Sequence, residues 1–278
     1  MSGLKLVKEL KLWLLGIAAG LIALHLHLTM RIGDNDLLGA SVLFWIAVLS
    51  LLWKKRDRLN LESGIFSTFF GASLIILIFF KAIHLSSQDS FVRISPFISI
   101  LGLSLVASGF KGLKQYWQEL SILGFLAIAQ GWLFQFDISE LTAKFAAFVL
   151  WVLGFQVSRQ DLLVSLPTGA IEVYAGCSGT GLMLQLVGFA FIFLVLFPTN
   201  SRQKILITFV AALLGFVVNG VRVALMAILV ALSNQNAFDY WHKGDGSVIF
   251  SMISVMFFGL FCHIFILQKS NINRSNIA

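Results

Sequence analysis

The sequence predicts an all-α polytopic membrane protein, and three observations carry that reading. Of its 278 residues 58% are apolar and only 12% charged, against roughly 45–50% and 25% in an ordinary soluble domain. The apolar residues gather into long runs bounded by polar or basic residues. With only 3 prolines in the chain, little interrupts those runs as helices. A soluble fold of this size has too little interior to hide so much apolar surface. The low charge and scarce proline also exclude disordered and collagen-like chains.

A spanning helix needs about 20 mostly apolar residues, and eight runs qualify. Lys5, Lys8 and Lys11 precede the first, at 12–28. The second, at 37–53, is followed by Lys54, Lys55, Arg56 and Arg58. The third covers 65–83, and the fourth, at 94–110, is followed by Lys111 and Lys114. The fifth covers 120–136. Arg202 and Lys204 separate the sixth, 179–197, from the seventh, 205–232. Lys269 and Arg274 follow the eighth, 248–267.

Lysine and arginine accumulate on the cytoplasmic flanks of membrane helices. Eight crossings put every one of these basic clusters on the same side, with both termini in the cytoplasm. Asp34, Asp36, Asp89, Asp137, Glu140, Asp161, Glu172, Asp239 and Asp245 then face outward. A ninth apolar run, 141–157, would break this pattern if it crossed. The expectation is that it lies on, or dips into, the outer leaflet. The net charge of +7 thus reads as an orientation signal for the inner (plasma) membrane rather than a nucleic-acid surface. The first run has no small-residue cleavage site and leads straight into the second, unlike a signal peptide. Neither an internal repeat nor a linker divides the chain, so residues 1–278 read as a single integral membrane domain.

The pattern changes between Gly154 and Ala175. Residues 155–159 and 162–166 are short and β-prone, Pro167-Thr168-Gly169 signals a turn, and 170–174 alternates in character. This predicts a short extracytoplasmic β-hairpin just before the sixth helix.

Three residues from separate elements fall on the outer face. Cys177 lies in Tyr174-Ala175-Gly176-Cys177-Ser178-Gly179 at the start of the sixth helix. A helix N-terminus favours a thiolate, and its N–H groups suit an oxyanion; the bland reading is a small residue in a tight helix start. Arg222 lies within an apolar run, three residues after Asn219, so both share one helix face. A charge there is costly and calls for a polar cavity, unless the arginine snorkels to the interface. His242 follows Tyr240-Trp241 before the last helix. It suits proton transfer near neutrality, or simple interfacial packing. Together, nucleophile, base and cation form an acyl-transfer constellation.

The remaining polar residues read more blandly. His25, His27 and His84 are expected at the interface, and Gln130, Gln135 and Gln185 as amides bonding between helices. Glu172 and Asp239 are candidate partners for His242 or Arg222. His263 and Cys262 lie within the last helix without zinc-like spacing. Most tryptophans sit near helix ends, as an aromatic belt would. No phosphate-binding motif is present. The reading therefore includes no cofactor, no metal and no nucleic acid. Two cysteines, Cys177 and Cys262, are too few for a disulfide framework.

Ala175-Gly176-Cys177-Ser178-Gly179, then Asn219-x-x-Arg222, then His242-x-x-x-Gly246 resemble the exosortase/archaeosortase family in order, spacing and placement. The resemblance is best over about 95–267, and the aromatic-rich, cysteine-poor composition fits a cyanobacterial branch of that family. It implies a membrane cysteine transpeptidase with Cys177 as nucleophile, Arg222 as thiolate or transition-state stabiliser and His242 as the proton-transfer residue, supported by Asn219, Ser178 and Gly179. It implies membrane-anchored protein substrates whose C-terminal sorting tail carries a Pro-Glu-Pro signal, a transmembrane helix and a basic cluster. Cleavage near the signal and transfer to an unknown surface acceptor would follow. A transporter, suggested by Arg222 with Asn219, and a non-catalytic scaffold for polysaccharide or surface-protein assembly are the alternatives; neither broken helices nor inverted repeats favour the first.

Overall fold

The computed structural model describes residues 2–84, 90–132, 137–242, 244 and 246–268. Asp89, Gln135, Asp245, Lys269 and Arg274, which figure in the sequence reading, lie outside the described residues, as do the side chains of Lys5, Lys8 and Gln130. The chain forms two compact units, Met1–Ile128 and Ala129–Ala278.

The first unit is helical. It contains α1 (Ser2–Ile32), α2 (Asn35–Lys55), α3 (Ile65–Ile83), α4 (Phe91–Gly112) and most of α5 (Trp117–Trp132). Asp34 separates α1 from α2 and caps the latter, its carboxylate accepting from Leu37 N–H at 2.9 Å. Helices α3 and α4 cross where small residues let the backbones meet: a Cβ on Gly71 would lie 2.6 Å from the Gly102 carbonyl oxygen. By length and apolar content alone, Phe91–Ile128 is one candidate span of 38 residues. It folds back on itself, however. Gly109 breaks the helix at φ 65°, and a Cβ on Gly124 would lie 3.5 Å from the Phe97 ring. A straight helix would hold those two residues about 40 Å apart, so α5 runs back along α4.

His25 departs from the interfacial expectation. It is 2% exposed, with Nδ1 at 3.1 Å from Ser95 Oγ and Nε2 at 3.0 Å from Ser41 Oγ. Hydroxyls from α2 and α4 satisfy both ring nitrogens, and that is what makes the burial tolerable. His27, two positions on, is exposed. Trp45 likewise lies buried in the middle of α2, away from any belt.

In the second unit, α6 (Ser139–Val152) is followed by β1 (Ser158–Gln160), β2 (Leu163–Leu166) and β3 (Gly169–Glu172). Then come α7 (Thr180–Leu196), α8 (Ser201–Ala231), α9 (Gln235–His242) and α10 (Gly246–Phe261). Helix α6 has 14 residues, about 21 Å, short of a hydrocarbon core of about 30 Å. It packs along the C-terminal half of α8, with the Phe145 and Phe216 rings 5.2 Å apart. The expected hairpin is a three-stranded antiparallel sheet in the order β1-β2-β3. The extra pairing follows from Asp161, whose φ of 50° closes β1 onto β2; a short polar side chain tolerates that left-handed turn. Val164, Leu166 and Val173 form one core with Ala143, Ala146 and Leu150 of α6 and Val223, Ala224 and Ala227 of α8.

Helix α8 has 31 residues, about 46 Å, and so exceeds the hydrocarbon thickness. It starts with a capping box between Asn200 and Gln203. Its last turn carries the sheet, with the Thr168 hydroxyl donating to the Ala231 carbonyl at 2.7 Å. Among the described residues, six helices are long and apolar enough to cross a membrane: Lys11–Ile32, Asn35–Lys55, Ile65–Ile83, Phe91–Ile128, Ser201–Ala231 and Gly246–Ile266. Helix α7, at 17 residues, is a shorter apolar helix. The chain is an all-α polytopic membrane protein carrying one small sheet.

Candidate active site

The site is built on α8. Asn219, Arg222, Val223, Met226 and Val230 recur at spacings of three and four, which puts them on one stripe of that helix. The stripe lines a cavity of about 310 Å³ together with β3, Tyr174, Cys177 and three residues of α9, namely Gln235, Phe238 and His242.

Cys177 enters this cavity from a 3-10 turn, Ala175–Cys177, and not from the helix itself. Gly179, at φ +90°, separates the turn from α7, whose first residue is Thr180. This corrects the expected placement of Cys177 at a helix N-terminus. The physical reason is the left-handed Gly179, a conformation an L side chain rarely adopts. A side chain there would also collide, because a Cβ would lie 2.6 Å from Asn219 Nδ2. The backbone N–H groups beside the thiol are already engaged: Cys177 donates to Tyr174 O at 2.8 Å and Ser178 to Ala175 O at 3.3 Å. An oxyanion at Cys177 would therefore depend on other donors.

Three contacts fix the turn. Asn219 Nδ2 donates to the Cys177 carbonyl at 2.9 Å. The Thr142 hydroxyl of α6 donates to the Ser178 carbonyl at 2.6 Å. Buried Ser178 closes the turn locally, its hydroxyl donating to Ala175 O at 2.7 Å. Helix α9 brings in the partner side chain: His242 Nε2 lies 3.3 Å from Cys177 Sγ. The imidazole packs against Phe238 at 4.9 Å between centroids, the two rings tilted by 46°. Arg222 donates to the His242 carbonyl at 2.7 Å and lines the same cavity. A guanidinium carries five donors, so this bond leaves others for the cavity.

All six residues singled out from the sequence, Cys177, Arg222, His242, Asn219, Ser178 and Gly179, thus come together. The suggested carboxylate partners do not join them in that role. Asp239 is exposed and accepts from Gln235 Nε2 at 3.1 Å, and Glu172 lines the cavity. Among the described residues no carboxylate pairs with Arg222.

Tyr174 is the site residue the sequence reading passed over. Its phenol is held above its ordinary value of 10.0, first through hydrogen bonding to the Cys177 side chain; the nearby Arg222 charge works the other way. The available signal was its position three residues before Cys177, facing the nucleophile across one 3-10 turn. Among the described residues no three His, Cys, Asp or Glu side chains converge on a metal position.

Fold and site define a multi-pass membrane protein with a cysteine–histidine pair in a cavity beside a small sheet. The chain belongs to the transmembrane exosortase family, whose model matches residues 32–259. The match takes in α2 and α3, which the sequence identifies only as generic membrane spans. Membership supports a membrane transpeptidase or protease role. No curated protein and no solved structure matches the chain.

Proposed function

We propose that this protein is an intramembrane cysteine transpeptidase of the inner membrane. In this reading it cleaves C-terminal sorting tails from exported, membrane-anchored proteins at the outer face and passes them to a surface acceptor. The observation that carries the reading is the 3.3 Å approach of Cys177 Sγ to His242 Nε2 at the end of an open cavity. The pair has the spacing of a nucleophile and its base. The sorting tail with its Pro-Glu-Pro signal comes from the family resemblance.

His242 Nε2 takes the thiol proton and the Cys177 thiolate attacks the scissile carbonyl carbon. The carbonyl oxygen becomes an oxyanion, and Arg222 supplies charge and donors to it, since the adjacent backbone N–H groups are engaged. Collapse of the tetrahedral species breaks the C–N bond. The departing amine of the tail receives the proton from His242, and the retained protein is left as a thioester on Cys177. An amine or hydroxyl acceptor, losing its proton to His242, then attacks the thioester and releases the thiol; water in that place gives hydrolysis. In this reading the basic clusters mark the cytoplasmic side with both termini, and the 14-residue length of α6 supports its lying at the outer leaflet beside α8.

The test is processing of a membrane-anchored reporter bearing such a tail. Wild-type protein shortens it and a covalent reporter adduct on Cys177 is trapped; the Cys177→Ala variant, inserted normally, does neither. Full processing by Cys177→Ala would sink the reading.

A further inference from the structure

We infer that the substrate segment binds as an added β-strand on the open edge of β3, and that this edge delivers the scissile bond to Cys177. The inference rests on the proposed function and specifies how the peptide is held.

Strand β3 pairs with β2 on one side only, since it ends the sheet order β1-β2-β3. Successive residues of an antiparallel strand turn their backbone groups to opposite edges. Val173 N–H donates to the Leu162 carbonyl at 3.0 Å, and Ile171 lies opposite Val164. Residues 171 and 173 therefore address β2, while Ala170 and Glu172 turn their N–H and C=O groups to the other edge. Among the described residues those groups have no backbone partner there. An unpaired edge is a template for another chain.

The location of this edge is what points to substrate. Ala170 to Tyr174 line the cavity that contains Cys177 and His242, and Val223, Met226 and Val230 of α8 give that cavity an apolar floor. The two edge-facing residues, Ala170 and Glu172, lie about 6.6 Å apart along the strand and present alternating donors and acceptors in a row. Only another extended backbone complements such a row along its length, as in other peptide-binding sites that work by strand addition. Five positions along the chain from Glu172 is the nucleophile. A peptide paired to β3 therefore needs no further reach to present a carbonyl to the thiol. The occupant is the extended segment immediately outside a substrate's membrane helix. Specificity then comes from backbone geometry first. In a Pro-x-Pro signal both prolines, two apart, turn the same way and away from β3, leaving the N–H of the central residue to pair.

The test uses the full-length protein and the tailed reporter. Glu172→Pro removes the N–H that faces the cavity without removing a bond to β2. Iodoacetamide labelling of Cys177 reports whether the turn is intact. The expected result is unchanged labelling with kcat/KM lowered about tenfold or more. Synthetic tail peptides carrying one N-methylated amide each, offered to the native protein, give a second readout that no folding defect can mimic. Sensitivity should alternate with a period of two along the signal. Unchanged processing by Glu172→Pro, or sensitivity without that period, overturns strand addition and leaves the proposed function standing. A wild-type protein that labels normally yet leaves the reporter uncut overturns both. Loss of a dimer on Glu172→Pro, with processing unaltered, would assign the edge to a second copy of the chain and overturn the inference.

Discussion

The thiol of Cys177 and Nε2 of His242 lie 3.3 Å apart although 65 positions separate them in the chain. One helix sets both ends of that distance. Asn219 of α8 holds the Cys177 carbonyl, and Arg222, one turn further on, holds the His242 carbonyl. Because these anchors share a face of α8, the spacing between nucleophile and base is fixed by helix geometry rather than by two independent loops.

Removing the base is the first prediction. General acid–base groups contribute about 10²–10⁴-fold to rate. His242→Ala should lower reporter processing by that factor while the protein remains inserted. Thiol labelling provides the check. Cys262 is buried in the last helix, so iodoacetamide reports Cys177 selectively in the folded protein. Labelling at pH 7 should slow in His242→Ala. Equal labelling rates in the two proteins would mean that the imidazole does not act on the thiol.

The anchors make a second prediction. Asn219→Ala leaves the Cys177 carbonyl without its donor, at a cost of about 1–3 kcal/mol. The turn then loosens, so kcat should fall with little change in KM. Arg222→Lys keeps the charge but offers a single ammonium in place of a fork. It cannot hold the His242 carbonyl and face the cavity at once, so it should remain well below wild-type activity. Recovery of full turnover by Arg222→Lys would reduce Arg222 to a structural tie.

Tyr174 gives a pH-dependent prediction. Its phenol is held above the ordinary 10.0, first of all by the hydrogen bond to Cys177. A value raised in the fold means that the neutral phenol is the favoured form. The interaction is present in full below about pH 10 and is lost as the pH rises through the raised value. A neutral phenol therefore stays available as a donor to the thiolate across the working range. Tyr174→Phe should slow labelling of Cys177 at pH 7 several-fold, with the gap narrowing as the pH rises. The residue is 51% exposed, so solvent can replace part of the bond and the effect should be smaller than that of His242→Ala. A pH-independent gap would point to a packing role for the ring.

What could be read from the chain divides along a physical line. Membrane helices are local, because 20 apolar residues in a row state their own environment. The fold class was legible for that reason, whereas the grouping of Cys177, Arg222 and His242, with 65 positions between thiol and imidazole, was suggested only by motif order and the family resemblance. Other contacts made at a distance were not legible. His25 looks interfacial in its own segment; only Ser41 and Ser95, from other helices, make it a buried group. The third strand depends on one left-handed residue, Asp161, which hydropathy does not register. The separation of Cys177 from α7 likewise turns on the φ of Gly179 alone.

Lys55 and Glu119 carry the last prediction, and they show the same limit of local reading. Lys55 counts in the sequence as one of four basic residues marking a cytoplasmic flank. In the first unit its ammonium lies 2.6 Å from Glu119 Oε2 and also bonds the Gln115 carbonyl, while Tyr116 packs beneath it. Glu119 is 0% exposed, and its second oxygen, Oε1, has no hydrogen-bond partner. A buried carboxylate satisfied on one side depends heavily on its cation. Breaking a buried pair by removing one member costs about 3–5 kcal/mol, whereas replacing both by apolar groups is often neutral. Lys55→Met should therefore lower the unfolding temperature in detergent markedly, and Lys55→Met combined with Glu119→Leu should recover most of the loss. Thermal unfolding of the three proteins checks this directly. A double variant no more stable than Lys55→Met alone would mean that the pair stabilises the helix junction by more than mutual compensation.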